Sequence, residues 1–340
     1  MRKTVLDFIS KLLFDSVKAY EIKELIKDDD FINNLIKIAS SHLILPLVHS
    51  KLKKNDLLYL FPNNFVGFLN EISILNRSRN EHLLIELNQL NQLLKQNDVD
   101  YVFLKGTALL ADCYFEAISD RMVGDIDILV SKKDFKRVIK ILKDDGYSSK
   151  NNHQFFNKIH FPRLIHKERV FCVEIHEELI RHGQIKLFPP EKVLKNKKKM
   201  KNNVPIPNEL NLFLHAIYNF QINDHGSLYA IYSFRNLYDV FTIKQKNKIN
   251  LDQIPENDIV NKYFIIAGNY SKAFIISPQN FRLCLYKQRY LFKTNFKIIW
   301  EIDFFIMKYF RILFLKKPRQ FYVFITDKKY RVYLLNKYNF

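Results

Sequence analysis

Glycine is scarce in this chain, seven residues in 340, which argues against a loop-rich or disordered protein. Cysteine is scarcer: Cys113, Cys172 and Cys284 lie far apart and form no CxxC pair. Cys172 sits in an apolar run and Cys113 in a helical one, so reduced, packed thiols in a cytoplasmic setting are expected. No run of about 18 uninterrupted apolar residues occurs, so no transmembrane span is expected. The opening stretch MRKTVLDFISKLLF is interrupted by Asp7 and Lys11 and lacks a small-residue cleavage site. It reads as an amphipathic helix and not as a signal peptide.

Acidic residues are also in short supply, 35 Asp and Glu against 54 Lys and Arg, for a formal charge of +19. Such a balance attracts polyanions: RNA, nucleotides or acidic lipid. The plainer alternative is a lysine-coated surface that follows from a composition rich in Ile, Asn and Lys. The length suits two or three packed units.

Residues 1–97 read as a helical region, with Leu83, Leu87, Leu90 and Leu94 on one stripe. Residues 98–186 change period to strand, helix, strand, then a helix at roughly 132–144 that stops at Gly146 in the left-handed cap position. Two strand-like runs follow, near 154–165 and 170–178, with His166–Arg169 as a hairpin turn. Residues 187–280 begin with a lysine-dense loop or edge strand, Lys192 to Lys201, and continue as helix from Leu210 to about Ile243, with Asn208 as N-cap. Residues 281–340 form a basic, aromatic-rich segment with 14 Lys and Arg against three acids. Its aromatics, Trp300, Phe304, Phe305, Tyr309, Phe310 and Phe314, are expected to pack inward as a helical cap. The sharper alternatives are an RNA-facing stacking surface or a helix lying on an anionic membrane.

The most informative stretch is YVFLKGTALLADCYFEAISDRMVGDIDILV, Tyr101 to Val130. On a strand, Asp125 and Asp127 project from one face while Ile126 and Ile128 enter the core from the other. Carboxylates brought that close repel unless a cation sits between them, and oxygen ligands favour magnesium or manganese. Gly106 lets backbone N–H groups approach phosphate oxygens. Thr107 adds a hydroxyl, and Lys105 and Arg121 are cations nearby. Glu174, in the strand Phe171-Cys172-Val173-Glu174-Ile175-His176, is the best third carboxylate, with His176 beside it. Each piece alone is common. The order strand, Lys-Gly-Thr, helix, Arg, Gly-Asp-Ile-Asp, helix, Val-Glu-Ile-His is specific, and it points to phosphoryl transfer.

These residues resemble the polymerase-beta-like nucleotidyltransferase superfamily. Within it the chain is most similar to the bacterial uncharacterised nucleotidyltransferase family, and more distantly to the nucleotidyltransferase toxins of abortive-infection systems. The resemblance rests on Lys105-Gly106-Thr107-Ala108-Leu109-Leu110, Tyr114, Arg121 and Gly124-Asp125-Ile126-Asp127. It continues through His160-Phe161-Pro162-Arg163, Glu174-Ile175-His176, Leu214-His215-Ala216 and Arg235-Asn236-Leu237-Tyr238-Asp239. It spans about 100 to 240, and one departure is Thr107 where the superfamily more often has Ser.

The resemblance implies an α+β fold, a small mixed-sheet nucleotidyltransferase core flanked by N- and C-terminal helical regions. It implies Asp125, Asp127 and Glu174 as catalytic metal ligands for magnesium or manganese. Lys105, Gly106, Thr107 and Arg121 would hold the NTP, with His176 as an orienting residue. NMP would pass to an acceptor, RNA being favoured by charge, with release of pyrophosphate. The alternative is a non-catalytic RNA-binding module that keeps the fold. Peripheral contact with anionic membrane through 281–340 is a further expectation.

Overall fold

The computed structural model describes residues 2–149, 160–181, 184–199, 203–328, 330–332 and 335. Four helices, α1 (Arg2–Phe14), α2 (Ala19–Leu25), α3 (Asp29–Ser41) and α4 (Leu45–Lys54), lead into a 34-residue helix, α5 (Asn63–Gln96). The leucine stripe, Leu83 to Leu94, is fully buried along α5.

The chain then builds the sheet: β1 (Tyr101–Phe103), α6 (Lys105–Ala111), β2 (Asp125–Val130), α7 (Phe135–Asp144) and β3 (Cys172–His176). Its order is β1–β2–β3, with β1 antiparallel and β3 parallel to the central β2. The register sets Asp127 opposite Glu174. Side chains alternate in step on neighbouring strands, so these two carboxylates share one face. Helix α7 stops where expected: Gly146 takes φ +98°, and a Cβ there would meet His166 Nε2 at 2.6 Å.

The expected hairpin exists in reduced form. Residues 150–159 lie outside the described residues, and the remainder pairs with β3 only through isolated bridges at His160–His176 and Leu164–Val173. Pro162, between them, has no N–H to donate and interrupts the ladder. The lysine-dense stretch resolves into α8 (Pro190–Lys195) and the short strand β4 (Lys197–Lys199), paired with β5 (Pro205–Pro207), which lies against β1.

Asn208 caps α9 (Glu209–Tyr218) by accepting from Asn211 N–H at 2.9 Å. The continuous helix expected to Ile243 is broken. A π-helical turn, Asn219–Asn223, is followed by the single turn α10 (Gly226–Tyr229) between two left-handed residues, His225 and Ala230. Helix α11 (Phe234–Asn247) starts anew on a Ser233 cap. The interruption Asn219–Gly226 is dense in Asn, Asp and Gly, residues that favour turns over helix interiors. Helices α12 (Asp258–Ala267), α13 (Phe281–Asn295), α14 (Lys297–Phe310) and α15 (Lys317–Thr326) follow, with a second π-helical turn, Arg311–Lys316, between the last two.

Two expectations are corrected here. Phe305 and Phe314 are 60% and 65% exposed, and Tyr309 and Phe310 are exposed as well, so the C-terminal aromatics do not pack inward as a cap. Phe304 does stack on Tyr229, with centroids 5.0 Å apart, but α14 and α15 have little against which to bury their other faces. Cys113 and Cys284 are exposed free thiols and Cys172 is half-buried, so the cysteines are unbonded but not core residues. No helix among the described residues is long and apolar enough to cross a membrane. The architecture is α+β: a small mixed sheet with helices on either side in sequence.

Candidate active site

Asp127 and Glu174 sit buried on the shared face of β2 and β3, with Asp125 two residues up the strand and half-buried. Lys105, at the start of α6, places Nζ 2.5 Å from Asp127 Oδ1. Lys105 takes a left-handed φ of 51° to do so, a conformation that is uncommon for a side chain of its size and worth noting at a site. His176 Nε2 lies 2.8 Å from the same Asp127 oxygen. Burial pushes the Asp127 carboxyl up, but Lys105 and the His176 hydrogen bond outweigh it and hold it well below the usual carboxylate range. Burial, reinforced by Lys105, pushes the His176 imidazole down, so the neutral ring donates its Nε2–H to Asp127.

Arg163 closes the other side. Its Nε donates to Glu174 Oε1 at 2.8 Å and its Nη2 to Asp125 Oδ2 at 3.0 Å. Even so, Asp125 is raised above its ordinary value, by burial first and then by the charges of Asp127 and Glu174. The three acids therefore form one negative cluster that two side-chain cations neutralise only in part. Ligand atoms of Asp127, Glu174 and His176 all lie within 4.8 Å of one another. That closest grouping contains His176, where the sequence pointed to Asp125 as the third member.

The cluster forms the floor of an open cavity of about 730 Å³. Gly106 and Arg121 reach its wall, as do Arg163, Arg181, Arg235 and Arg319, while Asp224 adds a fourth carboxylate. Gly106 has no room for a side chain: a Cβ would meet the Val123 side chain, Cγ2, at 2.9 Å. Thr107 differs from expectation. Its side chain is fully buried and its hydroxyl donates to the Asp125 carbonyl at 3.2 Å, bracing β2 from behind. Arg121 also does something else. It makes a two-pronged ion pair with Asp239 on α11, at 2.7 and 2.9 Å, and donates to the Met122 carbonyl. It pairs neither with Asp120 nor with Glu116, which instead receives Lys51 and Lys54.

Several positioning residues have no signature in the local motifs. The buried stripe of α5 continues upstream of its leucines as Ser73, Asn76 and Asn80, at the same three- and four-residue spacing. Asn76 donates to the Ser119 carbonyl at 2.5 Å, and Asn80 to those of Ile118 and Arg121 at 2.6 and 2.8 Å. Glu86 accepts the N–H groups of Val170 and Phe171 at 2.7 and 3.2 Å. One helix thus fixes both the loop entering β2 and the entry to β3, which sets the carboxylates in register. Polar residues at stripe positions are the available signal, because a buried amide on a core face needs a partner. Arg163 is visible as part of His-Phe-Pro-Arg, but its bridge spans 11 residues to Glu174 and 38 to Asp125, which no local pattern reports.

No curated protein matches the chain. A family model described as an uncharacterised nucleotidyltransferase matches residues 29–258, from α3 to the first turn of α12. The match takes in every residue of the carboxylate cluster and covers well over half the chain, so this protein belongs to that nucleotidyltransferase family.

Proposed function

We propose that this nucleotidyltransferase binds an NTP with magnesium or manganese over Asp125, Asp127 and Glu174 and moves NMP to an acceptor hydroxyl. The observation that supports this most is the registered pair Asp127 and Glu174, joined by Asp125, beneath an open, arginine-walled cavity. The residues suit a hard divalent cation, because carboxylate oxygens converge while lysine and arginine side chains offset only part of their charge. Bound there, such an ion supplies Lewis-acid neutralisation at the phosphates.

The chain's own groups do the rest. Arg235 and Arg181 in the cavity wall offset the triphosphate charge. The neutral His176 ring and Lys105 keep Asp127 ionised and fixed in orientation. In this reading Glu174 accepts the proton as the acceptor oxygen bonds to the α-phosphorus. The bond from that phosphorus to the bridging oxygen breaks, and pyrophosphate leaves with its electron pair. RNA is the acceptor class that the net charge of +19 favours. Transfer of labelled NMP to RNA by wild type, with none by an Asp127→Asn variant that is still folded at the assay temperature, tests the assignment; equal transfer by the variant refutes it.

A second reading concerns location. Helices α14 and α15 and the turn between them expose Ile298, Phe305, Phe314, Phe321 and Ile325 among lysines and arginines, a composition that suits the headgroup region of an anionic membrane. Co-sedimentation with anionic vesicles, lost on deletion of 281–340, is the expected result.

A further inference from the structure

A second cavity, of about 860 Å³, opens beside the first and shares Arg181 and Arg319 with it. Its wall carries six cations, Arg181, Lys262, Arg289, Arg311, Lys316 and Arg319, and among the described residues no carboxylate lines it. Arg289 is offset from behind by Asp303 at 2.6 Å and Lys262 by Asp258 at 2.7 Å. Arg181 instead meets His225 Nε2 at 2.7 Å and the Asn223 carbonyl at 2.8 Å, and Arg311 lies over the Tyr229 ring at 5.8 Å. Crowding of like charge is felt there: burial first, then Arg181 and Arg311, pushes His225 down to about 4.

Both π-helical turns border this space. Gln221 and Ile222 come from the first, and Arg311, Leu315 and Lys316 from the second. Such turns widen a helix locally and recur at functional sites. Here the second turn brings two cations of the C-terminal segment, Arg311 and Lys316, into the lining that also holds Arg181.

We propose that this cavity seats the acceptor, and that the acceptor is a single RNA strand. Its terminal hydroxyl reaches the carboxylates past Arg181 and Arg319, and its trailing phosphates lie along Arg311 and Lys316. The proposal rests on the nucleotidyl-transfer reading of the first cavity. Six cations around a space that shares Arg181 and Arg319 with the carboxylate cavity suit a chain of phosphodiesters better than one compact anion. Gln184, Gln221 and Gln320 in its lining supply sequence-tolerant hydrogen bonds.

The test is a salt titration of binding to fluorescein-labelled single-stranded oligouridylate, comparing wild type with Arg311→Gln/Lys316→Gln. Each phosphate that a variant no longer neutralises reduces the slope of log affinity against log salt by about 0.7, so the double variant is expected to show a slope shallower by about 1.4. Arg311→Lys/Lys316→Arg is expected to keep the wild-type slope, which separates charge from folding. An unchanged slope in the glutamine variant overturns the proposal. Failure of wild type to bind RNA, with co-sedimentation on anionic vesicles that needs Arg311 and Lys316, overturns it in favour of lipid. Thermal stabilisation by magnesium and NTP is followed in parallel. If it persists while the RNA slope is unchanged, only the acceptor assignment fails. If it is absent while the slope falls, the cavity binds RNA, but nucleotidyl transfer and with it the acceptor role fail.

Discussion

Arg121 and Asp239, separated by 118 residues in sequence, meet in a two-pronged ion pair at 2.7 and 2.9 Å. Both side chains are about nine-tenths buried, so the pair ties the loop before β2 to α11 and holds the cavity wall against its floor. Removing one partner leaves the other charge buried and alone, which costs about 3–5 kcal/mol. Asp239→Ala is therefore expected to lower stability by that order in chemical denaturation. Arg121→Met/Asp239→Leu is expected to recover much of the loss, since both charges are gone.

Asn80 makes a smaller prediction of the same kind. It donates to two loop carbonyls, of Ile118 and Arg121, in a fully buried position. Asn80→Leu keeps the residue close to its original size and strands both acceptors, a loss of about 1–3 kcal/mol. A destabilisation well under that range means the loop relaxes to find other donors.

Gly106 is expected to tolerate no side chain. A Cβ 2.9 Å from Val123 Cγ2 forces α6 or the Val123 side chain to move, an overpacking cost of about 1–3 kcal/mol. Gly106→Ala/Val123→Ala opens space there, and its denaturation midpoint is expected to lie above that of Gly106→Ala alone.

His215 gives the pH dependence. Burial first, then Lys105, pushes its imidazole from the ordinary 6.5 down to about 3. The unfolded chain therefore takes up a proton that the folded chain refuses. This contribution to stability is complete above about pH 6.5 and is lost as pH falls toward 3, on the order of a few kcal/mol. His215 stacks on Phe188 at 6.1 Å, so His215→Phe keeps a ring in place and is expected to flatten this part of the stability profile. An unchanged profile in the variant assigns the acid sensitivity elsewhere.

Much of this is legible in the chain because strands report their two-residue period locally. Asp125 and Asp127 alternate with Ile126 and Ile128, and Glu174 and His176 with Val173 and Ile175, so both polar faces can be read without the sheet. Gly146, Asn208 and the leucine stripe of α5 are legible for the same reason: caps and helical stripes are written within a few residues. What escapes is set by distance. Arg121 finds Asp239 and not its sequence neighbours, and Arg163 bridges two carboxylates on different strands. Thr107 faces into the core because α6 packs that side against β2. The exposure of the C-terminal aromatics is not legible because an amphipathic pattern states which face is apolar, not whether anything covers it.

The most direct measurement is the thermal stability of wild type and of Asp125→Asn/Asp127→Asn with each of the four NTPs, with and without magnesium. An NTP at about 100 times its dissociation constant adds about 2.7 kcal/mol to the folded state. The account predicts that one or more NTPs stabilise wild type only when magnesium is present, and that the double variant, folded but without its metal ligands, shows no such shift. An equal magnesium-dependent shift in both proteins, or none in wild type at millimolar NTP, contradicts it.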